Sequence, residues 1–175
     1  KHSRLGPYQH IARVTVSPGG IREDLRFEVV GDDSKVPWMY VFMHCFTNQT
    51  EDWLVGLADG GEQRGVFRDD GTFSLKKDIR WAALYAPAEE LGCVYVYPEA
   101  YEGLAEGGNK AYRNAFWNRD YDNKLYFRPK LPRGKGQKFG YSVRLQAFTA
   151  TPEDWETRAR DRLARLGVPA EDDDG

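Results

Sequence analysis

The sequence predicts an all-β fold, mainly an antiparallel β-sandwich, with one C-terminal α-helix. Aromatic residues make up 14% of the 175 residues, and Gly and Pro separate the β-branched and aromatic runs at short intervals. Short strands that recur about every eight to twelve residues are typical of sandwiches and barrels. Only near the C-terminus does the apolar spacing change to that of a helix.

The first predicted unit is a hairpin. Residues 8–16 (YQHIARVTV) and 21–30 (IREDLRFEVV) flank the turn sequence SPGG. In the second strand a nearly all-apolar set of residues alternates with a fully charged set. The nearly all-apolar set consists of Ile21, Glu23, Leu25, Phe27 and Val29. This alternation predicts a strand with one dry face and one solvated face.

The stretch from Val36 to Trp53 is predicted to be the centre of the molecule. Between Trp38 and Phe46 both alternating sets of side chains are largely apolar, as in a strand that is covered on both faces. His44 is its one polar residue, and the polar turn TNQTED follows. A titratable ring beside hydroxyl, amide and carboxylate groups predicts a functional site, and a hydrogen-bonded core histidine is the alternative.

Further strands are predicted from the same alternation, and their sequences are DWLVGLA, RGVFR, TFSLKK, DIRWAALYAP, LGCVYVYPEAY, KLYFRP and FGYSVRLQAFTA. Residues 102–119 lose the alternation and predict a long loop, a common place for a binding site. The segment KLPRGKGQK, between the last two strands, is cationic through Lys130, Arg133, Lys135 and Lys138. An ordinary solvated hairpin tip and a contact for nucleic acid or a polyanionic glycan are its two interpretations.

A single helix is predicted after residue 150. Thr151 is a suitable N-cap, Pro152 is tolerated at the first helical position, and Asp154 completes a T-x-x-D capping pattern. The apolar residues at helical spacing are Trp155, Ala159, Leu163 and Leu166, followed by Gly167 as terminator. We expect a β-sandwich domain over residues 1–150, a helix packed on it over 151–167 and an acidic tail over 168–175.

Composition limits the classes of partner. The formal net charge is −2, so overall charge favours neither nucleic acid nor a membrane surface as a partner. The longest mostly apolar run is about half of what a membrane-spanning helix requires. Cys45 and Cys93 lie in apolar runs, so we expect either two buried free thiols or a disulfide between them. Because the sequence starts at Lys1, we expect that a segment was removed, or that a missing N-terminal segment or a second chain completes the fold.

Several kinds of catalytic site are absent from the sequence. It contains no G-x-x-x-x-G-K-[ST] phosphate loop, no G-x-S-x-G elbow, and no C-x-x-C or H-E-x-x-H metal pattern. His2, His10 and His44 have no recognisable metal-ligand spacing relative to carboxylates. We therefore expect neither a metal nor another cofactor.

The remaining chemistry suits a carbohydrate ligand. Sugar rings have apolar C–H faces and a rim of hydroxyls, so their sites combine aromatic rings with amide, carboxylate and guanidinium groups. The substrate-binding candidates that carry such groups are Asn48, Tyr95, Tyr97, Trp117, Asn118, Tyr126, Arg128 and Arg144. For the aromatic candidates, packing in the core or against a loop is the alternative.

Three features in order also carry a family resemblance over residues 7–150. They are the hairpin GPYQHIARVTVSPGGIREDLRFEV, a buried strand that ends in a histidine and a polar turn, and the later strands KLYFRP and YSVRLQAF. This order resembles the galactose-mutarotase-like supersandwich superfamily. Its epimerases use a histidine as general acid at the ring oxygen and a glutamate as general base at the anomeric hydroxyl. The resemblance implies His44 as the acid but finds no base, because the late strand carries Gln146 and Glu99 lies in another strand.

Two functions are therefore predicted. The first is an enzyme domain that acts on a sugar or glycoside, with His44 as catalytic proton donor and Arg128 or Arg144 holding a substrate oxygen or carboxylate. Tyr95, Tyr97 and Trp117 would form the stacking surface. The second is a non-catalytic carbohydrate-binding or structural module with the same sandwich, in which His44 is structural.

Overall fold

The computed structural model describes residues 1–31, 42–46, 49–67, 73–75, 77, 79–97, 115–118, 123–127 and 134–169. For residues 42–43, 45, 73–74, 115–118 and 123–127 it describes the backbone alone. The strands β1 to β12 are, in order, His2–Leu5, Tyr8–Ser17, Gly20–Val29, Phe42–Phe46, Asp52–Leu57, Glu62–Val66, Phe73–Ser74, Ile79–Ala86, Leu91–Val96, Ala115–Asn118, Asn123–Phe127 and Lys138–Thr149. A 3₁₀ turn, Pro87–Glu89, joins β8 to β9, and the helix α1 is Trp155–Arg165.

The described strands form two sheets. The large sheet has eight strands in the order β1-β2-β3-β12-β9-β8-β5-β6, and the small sheet has four in the order β4-β11-β10-β7. Every pairing between neighbouring strands is antiparallel. The prediction of an all-β, mainly antiparallel fold with one C-terminal helix is confirmed.

The predicted hairpin is formed by β2 and β3. Their register runs from Tyr8 opposite Val29 to Ser17 opposite Gly20, so Pro18 and Gly19 make a two-residue turn. Gly20 has φ +117°, and a Cβ atom there would lie 2.3 Å from the carbonyl oxygen of Leu145. Both the backbone angle and the close approach therefore require glycine at this position.

The large sheet buries apolar side chains on both faces because successive residues of a strand point to opposite sides. We call the two sides the inner and the outer face. The inner face carries the larger cluster, which includes Tyr8, Phe27, Val29, Trp53, Val55, Leu84, Tyr95, Tyr97, Phe139, Tyr141 and Val143. The outer face carries Leu54, Trp81, Ala83, Tyr85, Val94, Val96, Phe148 and one side of α1. The small sheet meets the inner face through His44 and Phe46, whose rings lie 5.5 Å from Tyr95 and 5.3 Å from Phe67 respectively.

The helix α1 packs on the outer face. Its buried residues are Trp155, Ala159 and Leu163, with Leu166 following, as the helical spacing predicts. The predicted start of the helix is wrong, because α1 begins at Trp155 with Asp154 as its N-cap, and Thr151 and Pro152 lie before the helix. In the turn that precedes α1, Asp154 Oδ1 accepts a hydrogen bond from the backbone N–H of Thr151 at 2.8 Å. In the described part of the chain, α1 is too short and too polar to cross a membrane, and no other helix is a candidate.

Two strands occupy positions that the sequence does not predict. Among the described strands, β4, which contains His44, lies at the edge of the small sheet beside β11, whereas its apolar composition predicts the centre of the molecule. The strand β11 belongs to the small sheet and β12 to the large sheet, so these two strands do not pair as a hairpin, and Lys130 and Arg133 of the cationic segment lie outside the described residues. A strand's composition reflects burial, and a strand at an edge is buried when another sheet covers it.

Candidate functional site

Two polar residues that interrupt apolar faces meet between the sheets. Glu23 lies in β3 on the same face as Leu25 and Phe27, and His44 lies in β4. The Nε2 atom of His44 is 2.9 Å from Oε2 of Glu23. The two side chains are 18% and 28% exposed respectively, so the pair is only partly buried. A carboxylate at this distance fixes the orientation of the imidazole ring.

The contact with His44 changes the acidity of Glu23. The hydrogen bond from His44 lowers the pKa of the Glu23 carboxyl below its ordinary value of 4.5, and the charge of His44 adds to this effect, whereas partial burial opposes it. Glu23 is therefore a carboxylate throughout the neutral pH range.

This lowered pKa predicts a pH-dependent contribution to stability. A carboxyl whose pKa is lower in the folded state stabilises the fold above its unfolded pKa, and the contribution is lost as the pH falls through the folded pKa. Between pH 5 and pH 3 the wild type should therefore lose more unfolding free energy than Glu23→Gln, as measured by urea denaturation. In His44→Gln the excess loss should shrink, because its main cause is absent. Parallel stability curves for wild type and Glu23→Gln would contradict the assignment.

Tyr95 and Cys93 lie next to this pair on the inner face. The ring centroids of His44 and Tyr95 are 5.5 Å apart. Burial raises the pKa of the Tyr95 phenol far above its ordinary value, and Cys93 and the Glu23 charge raise it further. Burial also raises the pKa of the Cys93 thiol to about 11. Both groups are therefore neutral near pH 7.

Cys93 is a free thiol, and its raised pKa predicts low reactivity. Since the thiolate is the nucleophile, a pKa of about 11 leaves roughly a thousandth of the thiol ionised at pH 8. In a Cys45→Ser background, labelling by a disulfide reagent at pH 8 should be about 100-fold slower in the folded protein than in urea. Equal rates in the two states would show that Cys93 is not held in a buried environment.

A pocket of about 460 Å³ opens beside Tyr95 between the end of β4 and the inner face. Its lining consists of Phe46, Gln49, Thr50, Leu84, Ala86, Glu89, Leu91, Gly92, Cys93, Tyr95 and Ala147. The floor is mostly apolar. At the rim the Gln49 side-chain amide donates to the Glu89 carboxylate at 3.2 Å. The pocket contacts the His44 and Glu23 pair through Tyr95, which borders both.

The structure describes the side chains of three predicted substrate-binding residues, and their surroundings differ. Tyr95 adjoins His44 and is 8% exposed, and its predicted contact with a substrate stays a prediction. Tyr97 is also on the inner face but only 5% exposed, so its ring belongs to the core. Arg144 is exposed on the outer face, because its cross-strand partners are Arg22 and Val96. Arg144 therefore does not share a site with His44.

Five other predicted substrate-binding residues have no described side chain. Trp117 and Asn118 lie in β10 and Tyr126 lies in β11, and the structure describes their backbone alone. Asn48 and Arg128 lie outside the described residues. The predicted contribution of these five residues to a ligand site stays a prediction.

Glu23 is the residue that the prediction omitted. Its signal is present in the sequence, since it is the one carboxylate in the otherwise apolar set of β3, just as His44 is the one polar residue of its run. Gln146, in contrast, points to the outer face with Phe148, so it has no part in this site.

The described residues contain no cluster of three or more His, Cys, Asp or Glu side chains that could hold a metal ion. Imidazole and carboxylate groups such as those of His44 and Glu23 are able to transfer protons, and the pocket rim offers hydrogen-bonding groups.

Comparison with known proteins gives limited similarity. No protein-family model matches the chain, and no curated protein matches it. Among solved structures, the Slr1438 protein from Synechocystis sp. PCC 6803 superimposes with a TM-score of 0.43 at 15% identity over 81% of this chain. HI1317 superimposes with a TM-score of 0.39 at 8% identity over 83% of this chain. The chain spans only 55% and 63% of the lengths of those two proteins.

Proposed function

We propose that the cleft between the two sheets binds a carbohydrate and that His44 and Glu23 transfer protons to and from it. The observation that carries this proposal is the 2.9 Å contact between His44 and Glu23, at a partly exposed position that shares Tyr95 with a pocket. A histidine and a carboxylate in contact are a common arrangement for acid–base catalysis.

The pocket lining supports a sugar as the ligand. Phe46 and Tyr95 offer ring surfaces against which the apolar C–H face of a pyranose can pack. Gln49 and Glu89 supply a planar amide and a carboxylate at the rim, and these groups match the donors and acceptors of sugar hydroxyls. A volume of about 460 Å³ is in the range of small-molecule sites.

The simplest reaction for this pair is interconversion of sugar anomers. Glu23 takes the proton of the anomeric hydroxyl, His44 gives a proton to the ring oxygen, and the bond between C1 and the ring oxygen breaks to give the open-chain aldehyde. For ring closure on the other face of the carbonyl, His44 takes back the proton of the ring-oxygen hydroxyl and Glu23 gives its proton to the carbonyl oxygen. This gives the second anomer and restores both residues, so the cycle consumes nothing. The resemblance to the mutarotase-like superfamily favours this reaction over glycoside cleavage.

A non-catalytic carbohydrate-binding or structural module is the second candidate. The burial of Tyr95 and Tyr97 at 8% and 5% exposure favours it, because both rings then contribute mainly to the core. In that case the contact between His44 and Glu23 stabilises the packing of the small sheet on the large one.

Two measurements with one panel of sugars test these functions. Calorimetric titration with neutral hexoses, pentoses and uronic acids detects binding, and polarimetry of freshly dissolved single anomers detects interconversion. Binding with accelerated interconversion supports the enzyme. Binding without acceleration supports the carbohydrate-binding module. The absence of binding at about 10 mM of every sugar contradicts both carbohydrate functions and leaves the structural module.

A further inference from the structure

Half of the outer face is not covered by the helix and carries an excess of positive charge. The helix α1 contacts β9 and β12, whereas the register places the alternate residues of β1, β2, β3 and the first half of β12 on a separate, exposed surface. Six cationic side chains lie on it: Arg4, Arg13, Arg22, Arg26, Lys138 and Arg144. Asp24 and Glu28 are its two carboxylates in the described part of the chain. We call this set of eight residues the cationic surface.

The arginines are held close together in spite of their repulsion. Arg22 and Arg144 are direct cross-strand partners, and like charges at such positions destabilise a sheet. Asp24 compensates part of the charge, since it accepts from Arg22 Nε at 2.9 Å and from Ser142 Oγ at 2.8 Å. Burial raises the pKa of Asp24, but these hydrogen bonds and the charges of Arg22 and Arg13 outweigh it and lower the pKa overall. The arrangement carries a concentrated positive charge on a protein whose net charge is −2.

A pocket of about 170 Å³ lies on the same surface, and its polar and apolar lining includes Gln9, Ile11, Arg26, Glu28 and Lys138. Guanidinium and ammonium groups beside such a pocket can hold a carboxylate or sulfate group by charge-assisted hydrogen bonds.

We propose that the cationic surface binds a linear acidic polysaccharide. Such a chain can lie along a flat sheet and place its carboxylate or sulfate groups against successive arginines. Nucleic acid fits less well, because duplex recognition needs an element that enters a groove and single strands need aromatic side chains for base stacking. No Phe, Tyr or Trp side chain is exposed on the described part of this surface.

The test is titration of the full chain with a heparin decasaccharide at 50 mM and 200 mM NaCl. The wild type should bind, with an affinity that falls steeply with added salt as counterions are released. The triple variant Arg13→Ala, Arg26→Ala, Arg144→Ala should lose about tenfold or more in affinity at 50 mM NaCl. A neutral maltodextrin of the same length should not bind.

A matched control removes three cations elsewhere. Arg64, Lys77 and Arg158 are exposed, and replacing all three by alanine removes the same charge at sites remote from the cationic surface. This variant should keep its affinity within about twofold. An equal loss in both triple variants would overturn the proposal, as would absent binding by the wild type. Tighter binding of oligo-dT or a 20-base-pair duplex at the same salt would replace the polysaccharide by nucleic acid.

The proposal is separable from the function assigned to the inner face. His44→Gln should leave heparin binding unchanged, because His44 and the cationic surface lie on opposite sides of the large sheet. A loss of heparin binding in this variant would contradict the assignment of the polysaccharide to the outer face.

Discussion

Replacing His44 with glutamine is expected to lower the rate of anomer interconversion by about two to four orders of magnitude. Glutamine keeps a hydrogen-bonding group near Glu23 but cannot carry the proton that the ring oxygen requires. The rate should be measured by polarimetry at saturating sugar, with sugar affinity determined in parallel. A general acid acts on the reaction and not on ground-state binding, so affinity should change far less than turnover.

A second histidine offers the control for this experiment. His10 is half-buried on the inner face, where its ring stacks on Phe27 at 4.7 Å and its Nδ1 lies 3.2 Å from Ser3 Oγ. His10→Gln should keep the wild-type rate. Because Glu23 and His44 act as a unit, Glu23→Gln should also be slow, and the double variant should be little slower than either single one. A rate change below about threefold in His44→Gln, in a folded protein, would reduce His44 to a structural residue.

Replacing Trp155 with alanine is expected to lower the free energy of unfolding by about 3–5 kcal/mol. The side chain is 7% exposed, and its ring stacks on Tyr85 with centroids 5.4 Å apart and planes 2° from parallel. Tyr85 in turn donates a hydrogen bond to the carbonyl oxygen of Ala150 at 2.8 Å. Removal of the indole leaves a cavity under α1 that the rigid sheet cannot close.

Urea denaturation at pH 7 measures this change. Thr157→Ala is the control, because Thr157 is exposed on the same helix, and it should change stability by less than about 0.5 kcal/mol. Where Trp155→Ala fails to accumulate as folded protein, Trp155→Phe should show a smaller loss of the same sign. A loss below about 1 kcal/mol in Trp155→Ala would show that α1 does not depend on this contact.

Local patterns predicted the hairpin and the helix because the interactions that form them are close in sequence. The SPGG turn specifies the β2–β3 register within a few residues, and Trp155, Ala159 and Leu163 align on one side of α1 at helical spacing. For α1 the predicted buried face is the face that the structure buries. The dry face predicted for β3 is buried at Phe27 and Val29, but Ile21, next to the turn, is 39% exposed.

Assignment of a strand to a sheet could not be predicted in this way. The apolar run that contains β4 indicates burial, but the same composition fits a central strand and an edge strand under another sheet. Similarly, the alternation in β12 places Arg144 and Leu145 on opposite faces of the sheet. It does not show which of the two faces packs against β4, the strand that contains His44. Only the contact between the sheets resolves this question.

Of the two residues in contact at the candidate site, His44 was predicted from the sequence and Glu23 was not. His44 and Glu23 each stand out as a polar residue in an apolar set, yet they are 21 residues apart and lie in different sheets. No periodicity connects them. Each residue can be recognised as a single polar side chain on an otherwise apolar face of its strand. That the two side chains are in contact can be seen only in the structure.

The position of β12 between β3 and β9 has a consequence for folding kinetics. The hydrogen bond from Ser142 to Asp24 joins residues 118 apart in sequence, so the hairpin at the start of the chain attaches to the rest of the large sheet only through a strand near its end. Closing so long a loop is entropically costly, and contacts of this kind are typical of domains that fold in milliseconds to seconds. During synthesis the hairpin would stay unpaired with the rest of the large sheet until β12 has left the ribosome, and truncation before residue 138 should leave β3 with an unsatisfied edge.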